Sequence, residues 1–211
     1  MTIDSDDLLN SIMSSLDRIE VIKPEDIPNI DLYMDQVTTF MDGKLRSSAR
    51  YPEEDKILTK TMINNYAKND LLPPPVKKKY SREHVLLLIF IYYYKNILSI
   101  NDIQALLSPI SRQFFQNGKE FNLESVYREV FALEKAQVEA LKADVLEKYK
   151  QSEETFQNAP EESGDFLRKF AFICMLAFDV YVKKLIIEKM VDGLSASQAG
   201  TGGDKHETKK K

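Results

Sequence analysis

The segment that most constrains the fold is "REHVLLLIFIYYYKN", which follows Ser81 and is almost entirely apolar after His84. A helix that is apolar nearly all round must be covered nearly all round, whereas a surface helix needs only one apolar stripe. We therefore expect this segment to form a central core helix. Ser81 is placed to cap its N-terminus, and the other elements should pack around it.

The rest of the chain also favours helices over strands. It contains only seven glycines, and no strand pattern extends beyond a few residues. Proline interrupts the helical spacing at Lys23-Pro24 and at Pro73–Pro75. Ser99 followed three residues later by Asp102 matches a capping box. We predict helices over residues 5–20, 28–41, 59–69, 82–96, 99–107, 122–156 and 166–191, with a polar loop after residue 41 and a turn after 107.

The composition argues against the common classes of enzyme site. Cys174 is the only cysteine, and the two histidines are His84, at the start of an apolar helix, and His206, in the polar tail. No phosphate-binding glycine motif is present, and we expect no cofactor and no metal. We interpret Cys174 as a small core side chain and His84 as a residue half packed on the core. The acidic N-terminus and the absence of a long uncharged apolar run predict a cytoplasmic protein without a membrane segment.

The helix predicted for residues 59–69 divides into two unlike faces. At about 100° per residue, its apolar residues fall within an arc of about 140°, and the opposite arc carries Lys60, Thr61, Asn64, Asn65 and Lys68. A merely solvated face usually mixes Glu, Lys and Gln, which are good helix formers. This face has no acid, and its Thr and Asn weaken the helix. Asn can pair with adenine and Thr can contact a thymine methyl, so the composition favours contact with DNA.

Charge is distributed unevenly along the chain. The net formal charge is −4, yet residues 56–82 carry seven bases against one acid. Three of these bases are Lys77, Lys78 and Lys79, which follow the stiff connector Pro73–Pro75. Any binding of a polyanion must therefore be local to this middle segment. From composition alone, a solvated helix followed by a solvated lysine loop explains the segment equally well.

The phrase "LTKTMINNYAKNDLLPPPVKKKYSREH" resembles a bacterial family known as domain of unknown function 1836. The longer stretch through "SINDIQALL" is similar to the winged helix-turn-helix head of MerR-type regulators. The resemblance implies an all-α fold with a MerR-like winged helix-turn-helix domain over residues 28–110. It also implies binding of double-stranded DNA by a recognition helix and a basic wing. The residues that the resemblance implies to contact DNA are Lys60, Thr61, Asn64, Asn65, Lys68, Lys77, Lys78, Lys79, Tyr80 and Arg82.

The remaining segments are predicted as an acidic N-terminal extension over residues 1–27, a helical dimerisation or sensing region over 111–194, and a disordered tail over 195–211. The long helix in this region carries a heptad-like stripe with one slip, from Leu123 to Tyr149, on which we base a predicted homodimer. We interpret the aromatic residues of the last helix (Phe170, Phe172, Phe178 and Tyr181) as core rather than as the lining of an effector pocket, and no residue identifies an effector. The leading hypothesis is a DNA-binding transcriptional regulator. The alternative is an all-helical protein–protein interaction module that keeps the fold without binding DNA.

Overall fold

The computed structural model describes residues 5–17 and 22–200, and the chain in these ranges is mostly helical. The helices are α1 (Ser5–Asp17), α2 (Met34–Leu45), α3 (Lys60–Lys68), α4 (Arg82–Tyr94), α5 (Ile100–Phe114), α6 (Leu123–Glu153) and α7 (Glu161–Gly200). Short 3-10 turns occur at Pro24–Asp26 and Arg46–Ser48, and two short strands are β1 (Leu32–Tyr33) and β2 (Lys79–Tyr80). The chain divides into two compact units, one of Met1–Val21 with Arg128–Lys183 and one of Ile22–Tyr127 with Lys184–Lys211.

Helix α4 forms the core of the unit that contains residues 22–127. Every residue from His84 to Tyr92 is buried, and the side chains from Leu86 to Ile89 are inaccessible to water. This confirms the prediction of a central helix. Neighbouring elements cover α4 on each side, so its burial removes a large apolar area from water and stabilises this unit.

A two-residue antiparallel sheet lies beside the core. Leu32 pairs with Tyr80, and Tyr33 pairs with Lys79. Leu32 and Tyr80 are buried, whereas Tyr33 is exposed, as expected from the alternation of side chains along a strand. Strands of two residues are too short to produce a recognisable alternation in the sequence, so we did not predict them.

The two ends of the 22–127 segment meet. The Tyr127 hydroxyl donates to the Ile22 carbonyl at 2.6 Å. The Arg82 guanidinium lies 2.5 Å from the Pro24 carbonyl oxygen and 3.2 Å from the Glu124 carboxylate. The first turns of α6 are thereby part of the same unit as α4.

Two predicted helix starts are confirmed by their caps. The Thr59 hydroxyl accepts a hydrogen bond from the Met62 amide at 3.2 Å. Ser99 and Asp102 form the predicted capping box, in which Ser99 Oγ accepts from the Asp102 amide at 3.2 Å and the Asp102 carboxylate accepts from the Ser99 amide at 3.1 Å. These caps satisfy amides that have no partner within the helix.

Helix α5 is longer than predicted. It passes through Pro109 and ends at Phe114, where we expected a turn from residue 108. The aromatic residues at its end are held by other rings: Phe114 lies 5.7 Å from Phe121, and Phe115 lies 4.8 Å from His84, both edge-on. Such packing offsets the one backbone hydrogen bond that a proline removes.

Helix α7 extends well beyond the predicted span of 166–191. It begins at Glu161 and continues to Gly200, so residues 195–200, which we predicted to be disordered, are helical. The remainder of the predicted tail, 201–211, lies outside the described residues, as do residues 18–20 of the first predicted helix.

Within the unit of residues 128–183, α6 and α7 are joined through one side of α7. Tyr149 meets Phe172 edge-on at 5.6 Å, and Lys148 bridges Asp144 of its own helix and Asp179 of α7, the latter at 2.9 Å. The pair Asp144–Lys148 has the i,i+4 spacing at which opposite charges meet on one side of a helix.

The apolar stripe of α6 does not form one continuous seam. Leu123 and Val145 are buried, whereas Val130, Leu133 and Leu141 are exposed. Tyr127 and Phe131, which lie off the predicted stripe, are buried instead. Buried and exposed members of the stripe therefore occur together within residues 128–183, and the stripe as predicted is not the buried side of α6.

The interpretation of α7 as plain core is wrong for most of the residues it named. Phe172 is buried, but Phe170, Phe178 and Tyr181 are each more than half exposed. Cys174, which we took for a core side chain, is also exposed. The helix is apolar around most of its circumference, and the side that carries Phe172 and Asp179 is in contact with Tyr149 and Lys148 of α6.

His84 is fully buried rather than half packed. Its Nδ1 accepts a hydrogen bond from the Ser81 amide at 2.9 Å and lies 2.8 Å from the Ser81 hydroxyl, so it caps α4 from within the core. Its ring meets those of Tyr80 and Phe115 edge-on. Burial lowers the pKa of His84, and the carbonyls of Pro74 and Pro73 oppose that shift in part. The imidazole is therefore held neutral.

We expect the pH dependence of stability to report this buried histidine. His84 binds a proton less tightly in the folded state than in the unfolded chain. The contribution of the neutral imidazole to the free energy of unfolding is therefore complete above the unfolded pKa of about 6.5, and it is lost as the pH falls below that pKa. Urea unfolding at pH 7.5 and pH 5.5 should give a lower free energy of unfolding at the lower pH.

The matched variant is His84→Gln, whose amide oxygen can still accept from the Ser81 amide. The loss of stability on acidification should be smaller in this variant than in the wild type. Glu83, whose pKa is raised by burial, contributes with the opposite sign in both proteins and cancels in the comparison. An equal loss in both proteins would contradict the assignment.

Candidate nucleic-acid interface

Helix α3 presents the two faces predicted for it. Ile63 and Tyr66 are buried, and Met62 and Ala67 are half-buried. The exposed side chains are Lys60, Thr61, Asn64, Asn65 and Lys68. The helix is therefore held by one side, and the acid-free side that the sequence singled out faces away from the core.

The end of α3 is fixed by several hydrogen bonds. The Leu71 amide donates to the Tyr66 carbonyl at 2.9 Å, and the chain reverses through Asp70 at a φ of 55°. Gln104 of α5 donates to the Asn69 carbonyl at 3.0 Å. Leu71 and Leu72, which follow, are buried. The orientation of the exposed face of α3 is thus set by the core and by α5.

The three lysines after Pro73–Pro75 lie in a tight β-hairpin rather than on an extended connector. Val76 and Lys79 exchange backbone hydrogen bonds of 3.1 and 2.9 Å. Lys77 and Lys78 form the two-residue loop between them, with φ of 50° and 65°. Positive φ at both loop residues is the arrangement of a type I′ turn, whose twist matches that of the strands it joins.

Lysine is an unfavourable residue for both loop positions. A side chain in the left-handed region costs on the order of 1 kcal/mol, which is why such loops are usually Asn-Gly. Both lysine side chains are exposed, and among the described residues no carboxylate lies within ion-pair distance of either. The tip of this hairpin (Lys77 and Lys78) thus combines backbone strain with two unpaired positive charges.

Helix α3 and the hairpin converge on the start of α2. Lys60 forms an ion pair with Asp35, in the first turn of α2. Lys79 Nζ lies 5.2 Å from the centre of the Tyr33 ring, directly before α2. Neither Asp35 nor Tyr33 was predicted to be part of this site, since contacts across about 25–45 residues leave no spacing signal in the sequence.

Two residues of the predicted set do not face outward. Tyr80 is buried in the small sheet with its ring against His84, and burial raises its pKa. Arg82 is held by the Pro24 carbonyl and the Glu124 carboxylate. Both residues tie the domain together instead of contributing to the surface, because their positions in the chain place them at the entry to the core helix.

A shallow polar groove of about 280 Å³, which we did not predict from the sequence, lies beside the end of α3. It is lined by Asp70, Gln104, Ser108, Ser111 and Arg112. Arg112 is exposed and lines the groove together with Asp70. Among residues 5–17 and 22–200, no group of three His, Cys, Asp or Glu side chains is placed to hold a metal ion.

The strain at the hairpin tip predicts a stabilising substitution. Replacing Lys77→Asn and Lys78→Gly should raise the free energy of unfolding by about 1–2 kcal/mol, because both new residues tolerate positive φ. Urea unfolding of the variant and the wild type at high salt, where charge repulsion is screened, measures the difference. A destabilised variant would show that the loop does not adopt the type I′ conformation.

None of the helices in residues 5–17 and 22–200 combines the length and apolarity that crossing a bilayer requires.

Comparison with curated proteins and with solved structures returned no match. Comparison with protein families returned one described as Domain of unknown function (DUF1836), which matches residues 22–130. The matched range begins at the residue that accepts the Tyr127 hydrogen bond and ends just beyond Tyr127 itself. This chain therefore belongs to the family of the domain of unknown function 1836.

Proposed function

We propose that this protein binds double-stranded DNA and acts as a transcriptional regulator. Helix α3 would lie toward the base edges, and the hairpin tip would contact the phosphate backbone. The observation that carries the proposal is the tip itself. Two lysines occupy positions where Asn-Gly would be more stable, and strain of this kind is found mainly where a function requires it.

The exposed face of α3 supports a role in reading bases. Asn64 and Asn65 present amides that can both donate to and accept from a base, and Thr61 offers a methyl group as well as a hydroxyl. Because Ile63 and Tyr66 anchor the opposite side, these groups are carried on a rigid element. Asn69 adds rigidity at the end of the helix, since its side chain donates to the Asn65 carbonyl at 2.8 Å.

The hairpin supports a role in contacting phosphates. Lysine binds phosphate as a point charge, and contacts of this kind set the position of a protein on the duplex without reading its sequence. Lys79 is partly engaged with the Tyr33 ring, so we assign the phosphate contacts to Lys77 and Lys78. Tyr80 and Arg82 are left out of the proposed interface because their contacts are internal.

The second candidate is a protein–protein interaction module, and exposed apolar side chains favour it. Ile30, Tyr33 and Val76 are each more than half exposed, and Tyr33 and Val76 lie in the sheet and the hairpin. Apolar residues of this kind are suited to a protein partner rather than to phosphates. The two candidates differ in one measurable property, because only binding to a polyanion depends steeply on salt.

Fluorescence anisotropy with random duplex DNA, from about 50 to about 300 mM salt, tests the proposal. For the wild type, we expect the logarithm of the association constant to fall linearly with the logarithm of the salt concentration. The variant Lys77→Asn with Lys78→Gly should lower the slope by about two, since each phosphate contact contributes about 0.9. This variant is expected to be the more stable protein, so weaker binding would not reflect unfolding.

The matched control removes two exposed lysines elsewhere, by Lys119→Asn with Lys189→Gln, and changes the net charge equally. Its slope should stay close to that of the wild type. Equal slopes for the tip variant and the wild type would exclude the hairpin from the interface. No binding at the lowest salt would favour the protein-binding candidate.

A substitution at Asp35 is expected to strengthen DNA binding, whereas the substitutions at the hairpin tip are expected to weaken it. Asp35→Asn removes an acid from the proposed interface and releases Lys60 from its ion pair. Affinity for random duplex DNA should therefore rise, and the salt slope should increase by up to about one. The same titration measures the change, and unaltered binding would show that the start of α3 lies away from the DNA.

A further inference from the structure

Helix α7 exposes a continuous apolar face between residues 166 and 181. Every exposed residue in this stretch is apolar, and no charged side chain interrupts the face. The eight residues, which we call the exposed apolar face of α7, are Phe166, Phe170, Ile173, Cys174, Ala177, Phe178, Val180 and Tyr181. At 100° per residue they span an arc of about 160°, and they extend about 22 Å along the helix.

The face lies opposite the contacts that α7 makes with α6. Three residues project from the other side of the helix and contact α6. Phe172 meets Tyr149, Arg168 pairs with Glu153, and Asp179 pairs with Lys148. α7 is therefore covered on one side by its own unit and left open on the other. A helix that is apolar on both sides needs a second partner to be covered.

The exposed area is close to what an interface needs. The six large side chains of the face are 51–68% exposed, which amounts to roughly 100 Å² each and roughly 600 Å² together. This equals the largest apolar patches found on typical monomers. Two such faces in contact would bury about 1,200 Å², which is the lower limit of a specific protein–protein interface.

The undescribed parts of the chain are poorly suited to cover the face. Residues 201–211 contain no apolar side chain, and residues 1–4 and 18–21 together contribute only Met1, Ile3, Ile19 and Val21. A second copy of the chain, in contrast, brings the same charge-free apolar face. Two identical surfaces related by a two-fold axis form the commonest kind of oligomer.

We propose that the protein forms a homodimer in which the exposed apolar faces of two α7 helices pack antiparallel about a two-fold axis near Ile173. The antiparallel arrangement aligns the helix dipoles favourably. The rings at the two ends of the face are already paired, Phe166 with Phe170 at 6.3 Å and Phe178 with Tyr181 at 6.5 Å. In the dimer each pair lies toward the opposite pair of the other copy, and these aromatic clusters serve as anchors. This differs from the dimer predicted on the α6 stripe.

The test is the mass in solution, measured by light scattering and sedimentation at micromolar concentration. The wild type should have the mass of two chains. Ile173→Glu places two carboxylates at the axis and should weaken the dimer by a factor on the order of 100 or more, giving the mass of one chain. Circular dichroism of the variant should show unchanged helix content, because Ile173 is exposed in the single chain.

Leu133→Glu is the matched control, since Leu133 is as exposed as Phe166 but lies on the α6 stripe. It should leave the dimer intact. A wild type with the mass of one chain would overturn the proposal, and so would a dimer broken by Leu133→Glu and not by Ile173→Glu.

Cysteine cross-linking tests the direction of the two helices. In a Cys174→Ser background, Phe166→Cys and Val180→Cys proteins should each fail to cross-link alone and should cross-link when mixed. Efficient cross-linking of either protein with itself would require parallel helices and would contradict the proposed arrangement. Neither measurement involves DNA, so its outcome is independent of the proposed function.

Discussion

The burial of α4 on every side is the constraint on which the rest of the 22–127 unit depends. A helix without a polar side cannot lie at a surface, so other elements must close around it. Tyr127 of α6 packs against Phe90 at 5.5 Å, and Lys95 at the C-terminal end of α4 donates to the Ile57 carbonyl at 2.8 Å, which ties down the loop before α3. Burial lowers the pKa of Lys95, and the negative charge of Asp55 opposes this shift. The position of α3 is in this way a consequence of covering the core helix.

The candidate interface combines a firmly held helix, α3, with a hairpin tip whose backbone is strained. α3 is held by its buried side, by the Thr59 cap and by Gln104, whereas Lys77 and Lys78 occupy backbone conformations that lysine disfavours. Stability alone would favour other residues in the loop, so the cost needs a compensating role. The same reasoning applies to the exposed apolar face of α7, because a large water-exposed apolar surface is costly to maintain unless something covers it.

Local features of the sequence predicted much of this structure. The two faces of α3, the caps at Thr59 and Ser99 and the buried α4 depend on residues within one or two helical turns, and the structure contains them all. Features that depend on distant residues were not predicted. The pairing of β2 with β1, which lies more than 40 residues earlier, and the ion pair of Lys60 with Asp35 have no local signature. A turn was predicted after residue 107, where α5 continues to Phe114, because the rings that hold the end of α5 come from outside the helix.

The sequence by itself determined that the chain is mostly helical, which face of α3 is polar and free of acids, and that α4 is the core. These properties follow from periodicity and capping, which act between near neighbours. Tertiary structure alone decided that Tyr80 and Arg82 face inward, that two lysines form the tip of a turn, and that the aromatic side of α7 is exposed. The physical reason is that burial depends on which partner covers a surface, and an apolar stripe looks the same in the sequence whether the chain covers it or leaves it open.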